Sequence, residues 1–224
     1  MLVFKARRRR DPTESPFLTP SQRRVMGTLR DAMNAVRDQV IDDEGKLLDA
    51  VMHRPLDEIV DMVPMDPWVD AQEQIAAELL GDLKDGGHRY ARQVPTMQKA
   101  TVTFRFDDTR PEGAAWARRK AGTLITEITS GQRQVVRQFV DSSLLAGDPP
   151  RTVARNLRNT IGLTSQQAGW VRNFDDRLVQ QFVNEGLTVA QAQARAAPQT
   201  ARYHARIHRY RTESIARTEI LSAS

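Results

Sequence analysis

The stretch PEGAAWARRKAGTLITEITSGQRQVVRQFVDSSLL, residues 111–145, sets the expected fold class. Trp116, Leu124, Ile128, Val135, Phe139 and Val140 recur at steps that return to one side of a 3.6-residue helix. Pro111 suits the first turn, where its missing N–H has no intrahelical partner anyway. Gly122 and Gly131 each weaken such a helix by about 1 kcal/mol relative to Ala. The run of apolar positions outweighs them, and the spacing predicts a single long helix.

Towards the C-terminus, Gly147-Asp148-Pro149-Pro150 predicts a stop and a restart. Val153, Leu157 and Ile161 then read as a short helix ending at Gly162. Thr164 is a candidate cap for a helix through Val171, Phe174, Leu178 and Phe182, ending at Gly186. Thr188 caps a brief Ala-rich helix, Pro198 is expected to interrupt it, and a last helix starts at Gln199.

Towards the N-terminus, Val102, Phe104 and Phe106 alternate with Thr103 and Arg105. That period predicts a short extended segment near 101–106, which needs a pairing partner for its backbone. Further back, Asp66-Pro67 opens a long helix with Trp68, Ala71, Ile75, Leu79 and Leu83 on its apolar face. Short apolar patches at Leu47, Leu48 and Val51 and at Leu56, Ile59, Val60 and Val63 precede it. A first helix beginning at Thr19-Pro20-Ser21 carries Val25, Leu29, Met33, Val36 and Val40. The expected fold is mainly α, with about eight helices. It divides into a flexible basic arm over 1–18, a helical region over 19–110 and a helical domain over 111–224.

Charge is segmented along the chain. Lys5 and Arg7 to Arg10 put five positive charges before the first acid, Asp11. Residues 11–110 hold 12 basic and 19 acidic residues, and residues 111–224 hold 16 and 9. The body is therefore acidic first and basic second, a pattern that suits polyanion contact or docking between complementary surfaces. With no cysteine, disulfides, thiolate metal sites and cysteine nucleophiles are excluded. No apolar run reaches the roughly 20 residues of a membrane helix, so no membrane partner is expected. No signal-type apolar segment follows the N-terminal charges, and synthesis in the host cytoplasm is expected.

One pattern in the second half is more specific. Gly147 leads into Pro150-Arg151-Thr152-Val153-Ala154-Arg155-Asn156-Leu157-Arg158, then Ile161-Gly162-Leu163-Thr164, and later Ile215-Ala216-Arg217-Thr218-Glu219. This helix–Gly–helix unit ending in Leu157-Arg158, with a later I-A-R-T-E segment, resembles the Mu F-like head-morphogenesis proteins of tailed bacteriophages. The resemblance covers residues 111–224; the first half carries no such motif. Family members continue beyond the I-A-R-T-E segment, whereas this sequence ends at Ser224. The resemblance implies a minor capsid protein of a double-stranded DNA phage, present in several copies inside the capsid near the portal vertex. Its implied partners are the portal protein, the major capsid protein and double-stranded DNA. Gly147, Leu157, Arg158, Gly162, Ile215, Ala216, Arg217, Thr218 and Glu219 would then be structural positions of the family.

Each candidate site also has a plainer reading. Arg7, Arg8, Arg9 and Arg10 could contact phosphates without sequence preference, or form a solvated tail. Arg202, Arg206, Arg209 and Arg217 lie near one side of the last helix, with Glu213 among them and Tyr203, Ile207 and Tyr210 on another; a solvated basic face is the plainer reading and a face that tracks DNA phosphates or contacts a portal the sharper one. Glu213 and Arg217 are four apart and suit an ion pair. His204 and His208 have the spacing of two metal ligands on a helix, but Arg206 lies between them and no metalloprotease glutamate does. A surface pair titrating near neutrality is expected there, with no metal and no cofactor. Asp42-Asp43-Glu44 and Asp107-Asp108 read as solvated turns, and Gly86-Gly87 lacks phosphate-loop spacing. Trp68, Trp116 and Trp170 read as core or subunit-interface anchors. With no nucleophile, base and orienting group in a recognisable set, the expectation is a binding protein rather than an enzyme. The alternatives are a prophage-encoded or cellular helical DNA-binding protein, or an effector enzyme fused to a Mu F-like module.

Overall fold

The structure, a computed structural model, describes residues 18–42, 44–93, 107 and 109–223. The protein is mainly α. Among the described residues there are eight helices and no strand: α1 (Pro20–Asp42), α2 (Glu44–His53), α3 (Leu56–Asp61), α4 (Asp66–Gln93), α5 (Pro111–Leu145), α6 (Pro150–Leu157), α7 (Ser165–Asn184) and α8 (Val189–Ala223). The expected extended segment at 101–106 and the arm with Arg7 to Arg10 lie outside the described residues. Leu18, expected to close the arm, instead belongs to the body. Its side chain is buried, and its carbonyl accepts a hydrogen bond from Arg23.

Local chemistry explains the helix ends. Pro111 occupies the first turn of α5 as its fixed φ allows. At the other end Gly147 takes φ +73°, which lets Asp148 N–H reach back to the Ser143 carbonyl at 2.9 Å. Thr164 and Gln167 cap α7 reciprocally, side chain to backbone in both directions. Thr188 and Gln191 do the same at the start of α8. Asp107 accepts from Thr109 and Arg110 in front of α5, an exposed turn as expected.

Helix α4 runs through Gly86-Gly87 to Gln93. Two boundaries differ from expectation. Helix α6 ends at Leu157, so Ile161 sits in the α6–α7 turn rather than on the helix. Pro198 does not interrupt α8, which runs unbroken through it. Pro198 and Ala194, the residue one turn earlier whose carbonyl loses its amide partner, both lie on the exposed side, where water can satisfy that carbonyl.

The long helices pack antiparallel. Ser21, Arg24 and Thr28 of α1 pair in turn with Asp82, Glu78 and Gln74 of α4. Gly113 of α5 meets Leu80 and Leu83, and Gly122 meets Gln72, so α5 runs against α4. Arg195 over Phe182 and Tyr203 stacked on Phe174 set α8 against α7. One apolar cluster draws on Leu29, Met33, Trp68, Ile75 and Leu79 from the first half and on Val136, Leu157 and Ala216 from the second. Residues on both sides of position 110 therefore share a core. Trp116 packs against that cluster half-buried, whereas Trp170 is exposed.

Candidate functional site: an arginine-lined cleft beside a buried histidine pair

Helix α8 carries a buried row with a strict four-residue step: Ala192, Ala196, Thr200, His204, His208, Thr212, Ala216 and Ile220. A four-residue step advances slightly more than one turn, so the row winds round the helix and meets successive partners. Those partners include α7, α1 and α4. Small side chains and hydroxyls let these helices approach closely.

At the middle of the row the two histidines are buried, at 2% and 5% exposure, which corrects the expectation of a surface pair. Their rings stack at 5.8 Å. His204 Nε2 lies 3.1 Å from the Ile161 carbonyl; a carbonyl only accepts, so Nε2 carries the proton. His204 Nδ1 is buried without a protein partner among the described residues. Burial, followed by the charge of Arg37, lowers the His204 pKa to about 4. Burial, then His204, Arg211, Arg37 and Arg30, lowers that of His208 to about 3. Both rings are neutral at physiological pH.

The α6–α7 turn is shaped to receive them. Gly162 has φ +77°, and a β-carbon there would lie 2.6 Å from His208 Cδ2 and 3.2 Å from Met33 Sδ. Gln132 of α5, 1% exposed, holds the turn from the other side. Its Oε1 accepts from Gly162 N–H at 2.6 Å, and its Nε2 donates to the Thr160 carbonyl at 3.3 Å.

Beside this joint opens a polar cleft of about 210 Å³, formed by α1, α6, the α6–α7 turn, α7 and α8. Arg37 projects into it from α1, Arg155 from α6 and Arg158 from the turn. Asp175 of α7 is the acid on its wall, and accepts a 2.6 Å hydrogen bond from Thr200. Arg155 donates to Gln193 at 3.1 Å. Arg37 Nε is buried without a hydrogen-bond partner among the described residues. Burial lowers the Arg37 pKa and the nearby positive charge of Arg158 lowers it further, with Asp38 opposing. Arg211, whose charge acts on His208, is also depressed by burial, and its Nη1 lacks a partner among the described residues.

The cleft brings together few of the residues singled out in the sequence. Arg158 lines it, and Gly162 shapes the adjoining turn. Arg202 and Arg206 stay on the outer surface, with Arg206 over the Tyr203 ring at 5.0 Å, and Arg209 is half-buried. Tyr203 and Ile207 pack on a small apolar cluster, but Tyr210 is exposed rather than on that face. Glu213 and Arg217 form the expected ion pair along α8. Glu219 faces Lys120 of α5 at 3.1 Å, Ala216 and Ile215 enter the main core or pack on it, and Thr218 bonds back to the Ser214 carbonyl. Gly147 closes α5, and Leu157 is fully buried. Sequence reasoning missed Arg37, Arg155, Gln132 and Asp175. A turn-by-turn tally of polar residues on α1 and α5 could have flagged Arg37 and Gln132, because both stand next to positions that had to be buried. Comparison with protein-family models, curated proteins and solved structures finds no match.

Proposed function

We propose that this protein is a minor capsid, head-morphogenesis component of a tailed double-stranded DNA bacteriophage. It would act by binding the portal or major capsid protein, and DNA, in the capsid interior, without bond chemistry of its own. The observation that carries this reading is the Mu F-like pattern of residues 147–164 and 215–219. The reading is supported by side chains of this pattern that serve the fold. Gly147 and Gly162 make two turns, Leu157 and Ala216 enter the core, and Arg217 and Glu219 tie α8 to itself and to α5. Further support comes from the arginine-rich outer side of α8, which offers Arg202 and Arg206 to an acidic partner.

The test is affinity capture of the tagged full chain from phage-producing cells, with the retained proteins identified by mass spectrometry. Retention of portal or major capsid protein through a moderate-salt wash is expected. Recovery of neither, from lysates in which both are present, overturns the reading.

A further inference from the structure

We propose that the cleft between α1, the α6–α7 turn and α8 binds a phosphate monoester, with Arg37, Arg155 and Arg158 closing on its oxygens. This inference does not rest on the assembly role. Three guanidinium groups from three separate elements line one concavity, against one carboxylate, Asp175, already engaged by Thr200. Like charges gathered in a half-buried place repel, and a fold gains nothing from the arrangement unless an anion completes it. Arg37 lines the cleft, and Arg155 is steadied by Gln193. Guanidinium forks match the geometry of phosphate oxygens, each able to donate two parallel hydrogen bonds.

The shape selects within the phosphate class. A cleft of about 210 Å³ walled by five elements admits a terminal phosphate on a small molecule. The phosphodiesters of a duplex run along a convex ridge and fit a groove or an open face better. Asp175 stands on the wall as an acceptor, placed to take a hydrogen bond from a hydroxyl of the group that carries the phosphate.

The experiment uses the full chain and isothermal titration calorimetry. Inorganic phosphate is the first probe, and a nucleoside monophosphate, its unphosphorylated nucleoside and an unphosphorylated DNA oligonucleotide serve as competitors. Saturable phosphate binding is expected, displaced by the monophosphate and by neither of the other two. Arg37→Met, Arg155→Met and Arg158→Met should each weaken phosphate binding about tenfold or more, as loss of a charge-assisted hydrogen bond implies. Arg133→Gln, an exposed charge on α5, should leave it unchanged. Circular dichroism melts identify any variant that fails to fold, and a phosphate-dependent rise in the wild-type melting temperature gives an independent reading. The proposal is overturned by absence of saturable binding, by folded arginine variants that bind like the wild type, or by an oligonucleotide that competes as well as the monophosphate.

Discussion

Gly162 concentrates two constraints that can be separated by substitution. Its left-handed φ penalises any side chain by about 1–2 kcal/mol. A β-carbon would also collide with the His208 ring, which is buried and cannot swing away, adding about 1–3 kcal/mol of overpacking. Gly147 has a similar φ but open space where its β-carbon would go. Gly162→Ala should therefore lower the melting temperature clearly more than Gly147→Ala, by several degrees at about 2–4 °C per kcal/mol for a chain of this size. Equal losses would mean that the contact with His208 is not tight. The histidines themselves supply a pH signature. Their folded pKa values of about 4 and about 3 lie below the ordinary 6.5, so between these limits the unfolded chain binds more protons than the native one. Stability is complete above about pH 6.5 and falls as pH drops towards 4 and 3. From pH 7.5 to 5.0 the loss is on the order of 2 kcal/mol for each ring. Urea unfolding at the two pH values should show it, and the drop should shrink in His208→Gln.

Among the elements, α5 and α8 show what can and cannot be read from the chain. Helix α5 is legible to its ends because large apolar residues mark its face and Pro111 and Gly147 mark its limits. Helix α8 defeats sequence reading in two ways. A search for apolar periodicity passes over a buried row made of Ala, Thr and His, although its four-residue step is regular from Ala192 to Ile220. Pro198 reads as a break because the usual penalty assumes that the freed carbonyl has nowhere to turn, whereas here it faces solvent. The ring still removes a hydrogen bond and crowds the preceding turn. Pro198→Ala should accordingly stabilise the protein, by about 1–3 kcal/mol in chemical denaturation; a destabilised variant would show that the proline shapes α8 for its contacts. The cleft is illegible for a different reason. Arg37, Arg155 and Asp175 are far apart in sequence, and only the packing of α1, α6 and α7 brings them together.

For the whole molecule, the segmentation of charge invites an electrostatic account of how the halves meet, and the structure favours another. Arg137–Asp57 joins α5 to α3, but both side chains are more than half exposed. Such pairs contribute roughly 0–1 kcal/mol. Apolar side chains instead cross between the halves, from Leu29 and Trp68 to Val136 and Ala216, and each large one fully buried is worth about 1.5–3 kcal/mol. With the junction held by packing, Arg202 and Arg206 stay on the outer surface and Arg37, Arg155 and Arg158 line the cleft. The central claim is that this chain is a part of the phage head. Procapsids and virions purified on a density gradient, followed by quantitative mass spectrometry, address it most directly. The account predicts this chain in both fractions, at a few copies per portal ring. Its absence from both, with portal and major capsid proteins plainly detected, would contradict the account.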